Sequence, residues 1–455
     1  MYRLDFTLRQ HTPLIHFQHD QAGASLRATE IKPKLDKFLI KNLFKNDFDV
    51  FKKFIVGFST NSENEYRKDF ETKGLPLNFK LLIRSNSGTS MKIGFPKQRR
   101  NGEVYWDPQF PCFFGNMGGG EPQKLKQFVH DDDEILCTIV IPDPLLIQYF
   151  EESEELFCSF FLKNNFGNRQ DKGFGSYAIT EFNGRKTDYE LSSSLYFECE
   201  NQHEIPDKFI SILDRNGYNT QEKKEWIYNY FSLFESIDLF YRTLRGGINI
   251  PGLYFKSLMF FYARALEPKQ QWDKKTIRQH FYSEHPLYEQ ILRRRRDPDG
   301  TVNYEPGGSY KSDNFLFRDL LGLASKQSWK YYDEDTISKM AVSNGGDELQ
   351  RFKSPITFKP VFNDNRFKVY ILTDSIPSIY LGAKVEIKSS LFNKEDDPLI
   401  LKVPDSFPVK SYIKWAVNFY SSNKMHIANK TAEESLEMSV IDNIYHQLYN
   451  QITKK

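Results

Sequence analysis

The sequence has almost no excess of charge of either sign: 62 lysines and arginines stand against 60 aspartates and glutamates across 455 residues, a net charge of +2. A uniformly basic surface that would capture a polyanion anywhere is therefore excluded, and such a ligand must be met by local patches. Cysteine is scarce. Cys112, Cys137, Cys158 and Cys199 lack the close spacing of a zinc ribbon or a compact disulfide framework, and read as reduced packing residues of a cytoplasmic protein. No run approaches the ~18 to 20 apolar residues that span a bilayer, and the opening MYRLDFTLRQ has no signal-peptide core, so no membrane partner is expected. A Walker-type phosphate loop and a serine or cysteine nucleophile motif are also missing, and neither a cofactor nor a metal is expected. What the chain holds in plenty is aromatic: 40 Phe and 25 Tyr lift the aromatic share to 15%. These rings serve either core packing or base stacking, and composition does not choose between the two.

The length suits two domains, each able to bury its own apolar centre. In the first, residues 1–185, Tyr2 to Leu8 alternates with period two as a half-buried strand does. Lys34 to Phe54 carries apolar residues at helical spacing with Pro33 near its start. Leu77 to Arg84 and Glu134 to Ile141 read as strands, Pro144 to Phe161 as a helix, and Phe174 to Phe182 as a final strand. Strand, helix, strand, strand, helix, strand is the split β-α-β order of a ferredoxin-like domain, here with a long insertion over residues 85–133. The second domain, 186–455, opens with strand-like Tyr189 to Glu200 and continues with helical patterns over Lys223 to Leu244, Leu253 to Leu266 and Asn314 to Leu323. Beyond Pro355, ITFKPVF, RFKVYIL and AKVEIK read as strands and Ser411 to Tyr420 as a helix. The expected fold class is α+β, with two ferredoxin-like domains, the second bearing large helical insertions.

The densest local signal is FGNRQDKGFGSY, Phe166 to Tyr177. Gly167, Gly173 and Gly175 would let the backbone turn through positive φ and present N–H groups to an anion, with Asn168, Arg169 and Lys172 beside them. A plain glycine turn before a strand is the ordinary alternative. Phe174 is expected to pack or to stack, with packing favoured by its imperfect alternation with Tyr177. Arg27, Lys32, Lys34 and Lys37 cluster where the first helix begins, and Arg27 and Lys32 are the preferred phosphate contacts against the simpler reading of a solvated cationic face. Lys97, Arg99 and Arg100 lie near Tyr105 and Trp106 in the insertion, a mixture suited to gripping a single strand or to an ordinary exposed hairpin. The four-cation run Arg293, Arg294, Arg295 and Arg296 offers a nucleic-acid or partner contact, or complements a helix dipole. His11, His16 and His19 lack cysteine or paired carboxylate partners at ligand spacing, which disfavours a metal. His16 stays as the general acid-base candidate of a metal-independent nuclease. Asp131, Asp132 and Asp133 read as a solvated turn rather than a magnesium site.

Four elements in order carry a family resemblance. LDFTLRQHTPLIHF with ASLRATEIKPKLDKFL, then CFFGN at Cys112 to Asn116, then GNRQDKGFGSY, and later RFKSPITFKPV at Arg351 to Val361, together resemble the RAMP superfamily of CRISPR RNA-binding proteins. Within it they are most similar to the first subunit of the type III-B Cmr effector. After the Thr-Pro-Leu turn this chain has HFQHDQ where the family often has glycines, and residues Ile248 to Lys311 have no counterpart in the pattern. The resemblance implies two RRM-like domains, and binding rather than catalysis. It also implies a place near the 3′ end of the guide RNA, help in capturing target RNA for antiviral defence, and contact with other subunits of the Cmr complex. The alternative it leaves open is a guide-processing endoribonuclease of the same superfamily.

Overall fold

A computed structural model describes residues 1–15, 25–85, 89–92, 95–98, 104–107, 127–130, 134–200, 204–215, 218, 220–250, 253–266, 272–288, 315–323, 325–329, 332–333, 335–392, 398–424, 427–428 and 435–454. The chain divides into two compact units, each assembled from separated stretches. The first comprises Met1–Ser194, Glu198–Phe234 and Phe358–Leu372; the second comprises Leu195–Phe197, Glu235–Thr357 and Thr373–Lys455.

In the first unit the alternation at the N-terminus does what its period requires. Along strand Tyr2–Gln10, Leu4, Phe6 and Leu8 are buried while Arg3, Asp5 and Arg9 are exposed. The sheet runs in the order Arg185–Lys186, Tyr177–Phe182, Tyr2–Gln10, Ile135–Ile141, Lys80–Arg84, and every neighbouring pair is antiparallel. The opening strand therefore lies between the strands that come third and fourth in the β-α-β-β-α-β order. Helices Ala28–Asn42, Pro144–Glu151 and Glu154–Lys163 contribute Leu35, Leu39, Phe150, Phe157 and Phe161 to the same core as Leu4, Phe6, Cys137 and Ile139. Aromatic rings fill much of it, with Phe6 5.6 Å from Phe161 and Phe150 5.3 Å from Phe157.

Two helices of this unit differ from the sequence reading, and in the second unit the helix read over Leu253 to Leu266 is a strand, Leu253–Phe255, followed by a shorter helix. The first helix starts at Ala28, six residues before Lys34, and stops at Asn42, so Pro33 sits inside it; a short second helix, Phe48–Phe51, follows. The segment read as one helix from Pro144 is two. Asp143 caps the first by accepting from the N–H groups of Leu145 and Leu146, with Pro144 at the position where its missing N–H costs nothing. A turn at Glu152–Ser153 then restarts the helix with Glu154 and Glu155 in its first turn, where carboxylates suit the helix dipole.

Strands Ile356–Asn363 and Arg366–Thr373 are neighbours in a three-stranded sheet and turn through Asp364 and Asn365, both at positive φ as a tight two-residue hairpin turn demands. Their stretch Phe358–Leu372 belongs to the first unit. Lys359 is fully buried there and donates to the carbonyls of Tyr177 (2.8 Å) and Asn164 (3.1 Å); burial pushes its amine well below the usual lysine range.

The second unit contains an antiparallel sheet in the order Lys326–Trp329, Asp335–Val342, Lys384–Ser389, Leu399–Lys402. Its helices include Leu258–Ala265, Asp273–Tyr282, Val409–Asn423 and Leu436–Thr453. Asp335 fixes the start of its strand by accepting from Tyr282 Oη, Ser389 Oγ, Ser390 Oγ and the N–H groups of Ser390 and Leu391. Beside that sheet, Asp319 takes ion pairs from Lys339 and from Arg245, both carboxylate and ammonium being almost wholly out of water. Among the described residues no helix is long and apolar enough to cross a membrane, and no group of three or more His, Cys, Asp or Glu side chains is placed to hold a metal.

Candidate nucleic-acid interface

The glycine loop and the Thr-Pro-Leu turn, far apart in sequence, are bonded together strand-fashion. His11 N–H donates to Ser176 O at 2.8 Å, Ser176 N–H to Thr12 Oγ1 at 2.9 Å, and Thr12 Oγ1 in turn to Gly173 O at 2.6 Å. Gly175 N–H donates to Pro13 O and Asn168 N–H to Ile15 O, both at 2.8 Å. The two motifs are therefore one structure.

That structure corrects the role expected of the three glycines. Gly167, Gly173 and Gly175 are buried at φ of 78°, 92° and 65°, so positive φ is required as anticipated. Their N–H groups, however, end on this chain's own acceptors: Gly167 on the Glu30 carboxylate, Gly173 on Gln170 O and Gly175 on Pro13 O. They shape the loop and do not cradle an anion. A Cβ on Gly167 would lie 2.6 Å from Ile15 O, which shows how closely the backbones approach. Phe174 is fully buried and stacks on Phe234 at 3.8 Å with the rings 8° from parallel, so it packs and offers no face to a base. Lys172 is buried as well, 3.8 Å from the Asp171 carboxylate, and is not a surface grip.

Two of the helix-entry lysines are also committed to the fold. Lys34 Nζ donates to Gln170 Oε1 (2.8 Å) and Asn165 O, sits 3.9 Å from Glu30, and lies over the Phe166 ring. Together with the Glu30 bond to Gly167, it fastens the first turns of helix Ala28–Asn42 against the loop. Lys32, a preferred phosphate contact, donates instead to Asp36 (2.7 Å) and Leu77 O (3.0 Å) and covers the Phe79 ring at 4.2 Å. Sequence spacing alone could have flagged the Lys32–Asp36 pair as an i, i+4 partnership, but not the Leu77 and Phe79 contacts.

Asp36 is 5% exposed, and burial outweighs the Lys32 charge, raising its pKa from 3.8 to about 6. The folded state therefore holds this proton more tightly than the unfolded one. Its contribution to stability is full below about pH 4 and is lost as pH rises through about 6. Asp36→Asn is expected to raise neutral-pH stability by about 1–3 kcal/mol and to flatten the pH dependence of melting between these limits, which thermal denaturation across a pH series would read.

What remains outward is narrower than the sequence reading. Arg27 is exposed at the cap position of the helix, its own side chain makes no capping hydrogen bond, and it precedes Glu30 by one turn. Asn168, Arg169, Gln170 and Asp171 are half-buried, with Arg169 at φ 59° holding the turn open. An exposed guanidinium, a helix N-terminus and a second guanidinium on the adjoining loop suit a phosphate, the two arginines supplying charge and forked donors. Of the other expected contacts, Lys97 lies in strand Phe95–Gln98, in register with Tyr105 of strand Val104–Asp107. Arg99, Arg100, Arg293, Arg294, Arg295, Arg296, His16 and the Asp131–Asp133 run lie outside the described residues.

Residues 1–248 match the family model for the Cmr1 N-terminal domain, and residues 254–438 match the model for the Cmr1 C-terminal domain. The chain belongs to the Cmr1 family. The likeness read from its four motifs is thereby shown, and the Cmr1 models extend it across residues 254–438, including part of the stretch in which no motif was legible. No curated protein matches. Among solved structures, this Cmr1-family chain is similar to the apo crystal structure of Cmr1 from Pyrococcus furiosus at 10% identity and a TM-score of 0.23, over 95% of this chain and 99% of that one. It is also similar to a chain in a cryo-EM structure of the Type III-B Cmr-beta bound to cognate target RNA, at 11% identity and a TM-score of 0.31, over 98% and 99%. A second such structure, with AMPPnP and in the presence of ssDNA, matches at 11% identity and 0.29, over 99% of each chain. At these scores the assignment rests on the two family models, not on superposition.

Proposed function

We propose that this chain is a non-catalytic RNA-binding subunit of a type III-B CRISPR effector complex, acting in the cytoplasm near the 3′ end of the guide RNA and helping to capture target RNA. Membership of the Cmr1 family carries the reading. The first unit supplies a mechanism: the Thr-Pro-Leu turn and the glycine loop lock together, and on that base the exposed Arg27 and the half-buried Arg169 are the phosphate contacts. The proposed architecture is a ferredoxin-like, RRM-like domain over residues 1–185 and a second domain over 186–455. The strand order of the first unit supports the former. In the second unit an antiparallel sheet is accompanied by separate helices, which supports an α+β domain.

The test is fluorescence anisotropy of the full chain with single-stranded guide RNA across a salt series. Arg27→Ala with Arg169→Ala is expected to weaken binding at least tenfold and to reduce the salt slope by about 1.4, two single-strand phosphate contacts, with melting nearly unchanged. Unaltered binding would remove these two residues from the interface. The same RNA, incubated with the protein in the absence of divalent metal, is expected to stay intact; cleavage abolished by His16→Ala would replace this reading with the endoribonuclease.

A further inference from the structure

In the second unit, helix Val409–Asn423 carries no aspartate or glutamate. Its inner face is buried through Val409, Tyr412, Ile413, Ala416, Val417 and Tyr420. On its outer side Lys410 and Lys414, one turn apart, are exposed, and among the described residues their ammonium groups make no hydrogen bond or ion pair. This differs from the cations of the first unit's helix entry, where Lys32 and Lys34 are absorbed by the fold. Next to the lysines, half-buried aromatic rings form a continuous row. Trp415 lies 4.8 Å from Phe419 with the rings 17° from parallel, and Tyr262 meets Trp415 edge-on at 5.1 Å. The carboxylates bonded to this helix or paired beside its ends are already neutralised: Asp442 accepts from Tyr420 and Lys424, and Asp405 from Lys402.

Exposed ammonium groups beside a half-buried row of indole and phenyl rings, on a helix with no carboxylate of its own to repel an anion, match the chemistry of a single-stranded nucleic acid: phosphates on the lysines, a base on the ring row. We infer that Lys410, Lys414 and the Trp415–Phe419 row form a second single-stranded RNA contact, separate from the Arg27 and Arg169 site. The inference rests on the RNA-binding reading of the whole chain. Trp415 supplies a stacking surface, and the lysines set the backbone path along the helix without reading sequence.

The probe is a fluorescent single-stranded oligouridine of about 15 nucleotides, long enough for the larger site sizes of such grips, titrated against the full chain by anisotropy. Lys410→Ala with Lys414→Ala is expected to weaken binding about tenfold at 0.1 M salt and to lower the salt slope by about 1.4, leaving the melting temperature in place. Trp415→Leu is expected to weaken binding about tenfold with the slope unchanged, because stacking carries no counterion term. Wild-type affinity and slope in the double lysine variant would overturn the inference. If that variant keeps its RNA affinity but fails to co-purify with the other effector subunits, the face is a protein dock and the inference falls in the same way. Loss of binding through Arg27→Ala with Arg169→Ala, and none through the lysines, would sink the second contact and keep the RNA-binding reading. A wild-type chain with no measurable affinity at low salt would overturn both.

Discussion

Gly175→Ala is expected to lower the melting transition of the first unit by roughly 10 °C, the equivalent of about 3–5 kcal/mol in a unit of this size. Gly175 holds φ at +65°, and a Cβ there would collide with the Phe166 carbonyl, 2.9 Å from its carbon and 3.1 Å from a Leu14 methyl. The Phe166 backbone cannot retreat. Phe166 is tied back to Gly175 through its own N–H, and Gly175 to Pro13, so the added carbon would push on the bonds that join the loop to the Thr-Pro-Leu turn. The control is Gly184→Ala. Gly184 has a similar φ of +76° but nothing within 4 Å of the new carbon, so only the left-handed penalty of about 1 kcal/mol applies, worth a few degrees. Scanning calorimetry of the two variants separates steric from conformational cost. Equal shifts would show that backbone crowding at Gly175 is relieved by movement of the loop.

The second large effect is expected at the buried charges of the other unit. Burial alone would raise the pKa of Asp319, but Lys339, Arg318 and Arg245 outweigh it and hold the carboxyl below its ordinary value. Its contribution is therefore present above pH 3.8 and is lost as pH falls through the folded value, the opposite sense to Asp36. Asp319→Ala leaves both Lys339 and Arg245 without a counterion and is expected to cost about 3–5 kcal/mol. Lys339→Met should cost less, because Asp319 keeps Arg245 and the methionine fills the space of a side chain that is only 2% exposed. Chemical denaturation at pH 7 reads both, and equal losses would mean that Arg245 contributes nothing to holding Asp319.

The period-two run at the N-terminus and the strand from Glu134 were legible because each alternates or stays apolar for a reason confined to itself: one sheet face meets the core. Pro33 misled, since a proline is most often read as the first residue of a helix, while here the helix begins five residues earlier and tolerates the lost hydrogen bond. The glycine loop was found as a motif and misread as a cradle. Its glycines are needed because Ile15, Pro13 and Phe166 come close, and those partners lie elsewhere in the sequence. In the same way nothing local says that Lys32 would be taken by Leu77 and Phe79, or that Phe174 would find Phe234. Positive residues near a helix start look alike until the rest of the chain declares which of them are spoken for.

The hairpin of Phe358–Leu372 has one more consequence, for biosynthesis. It supplies Lys359 to the carbonyls of Asn164 and Tyr177, Pro360 to Ser176, and the Phe362 amide to His11, yet the ribosome makes it well over a hundred residues after the rest of its unit. During translation the N-terminal domain must wait, with those groups still wet and its glycine loop unbraced, until the emerging polypeptide brings back the missing ribbon. A gene cut after residue 248, where the N-terminal family model ends, would leave that vigil permanent.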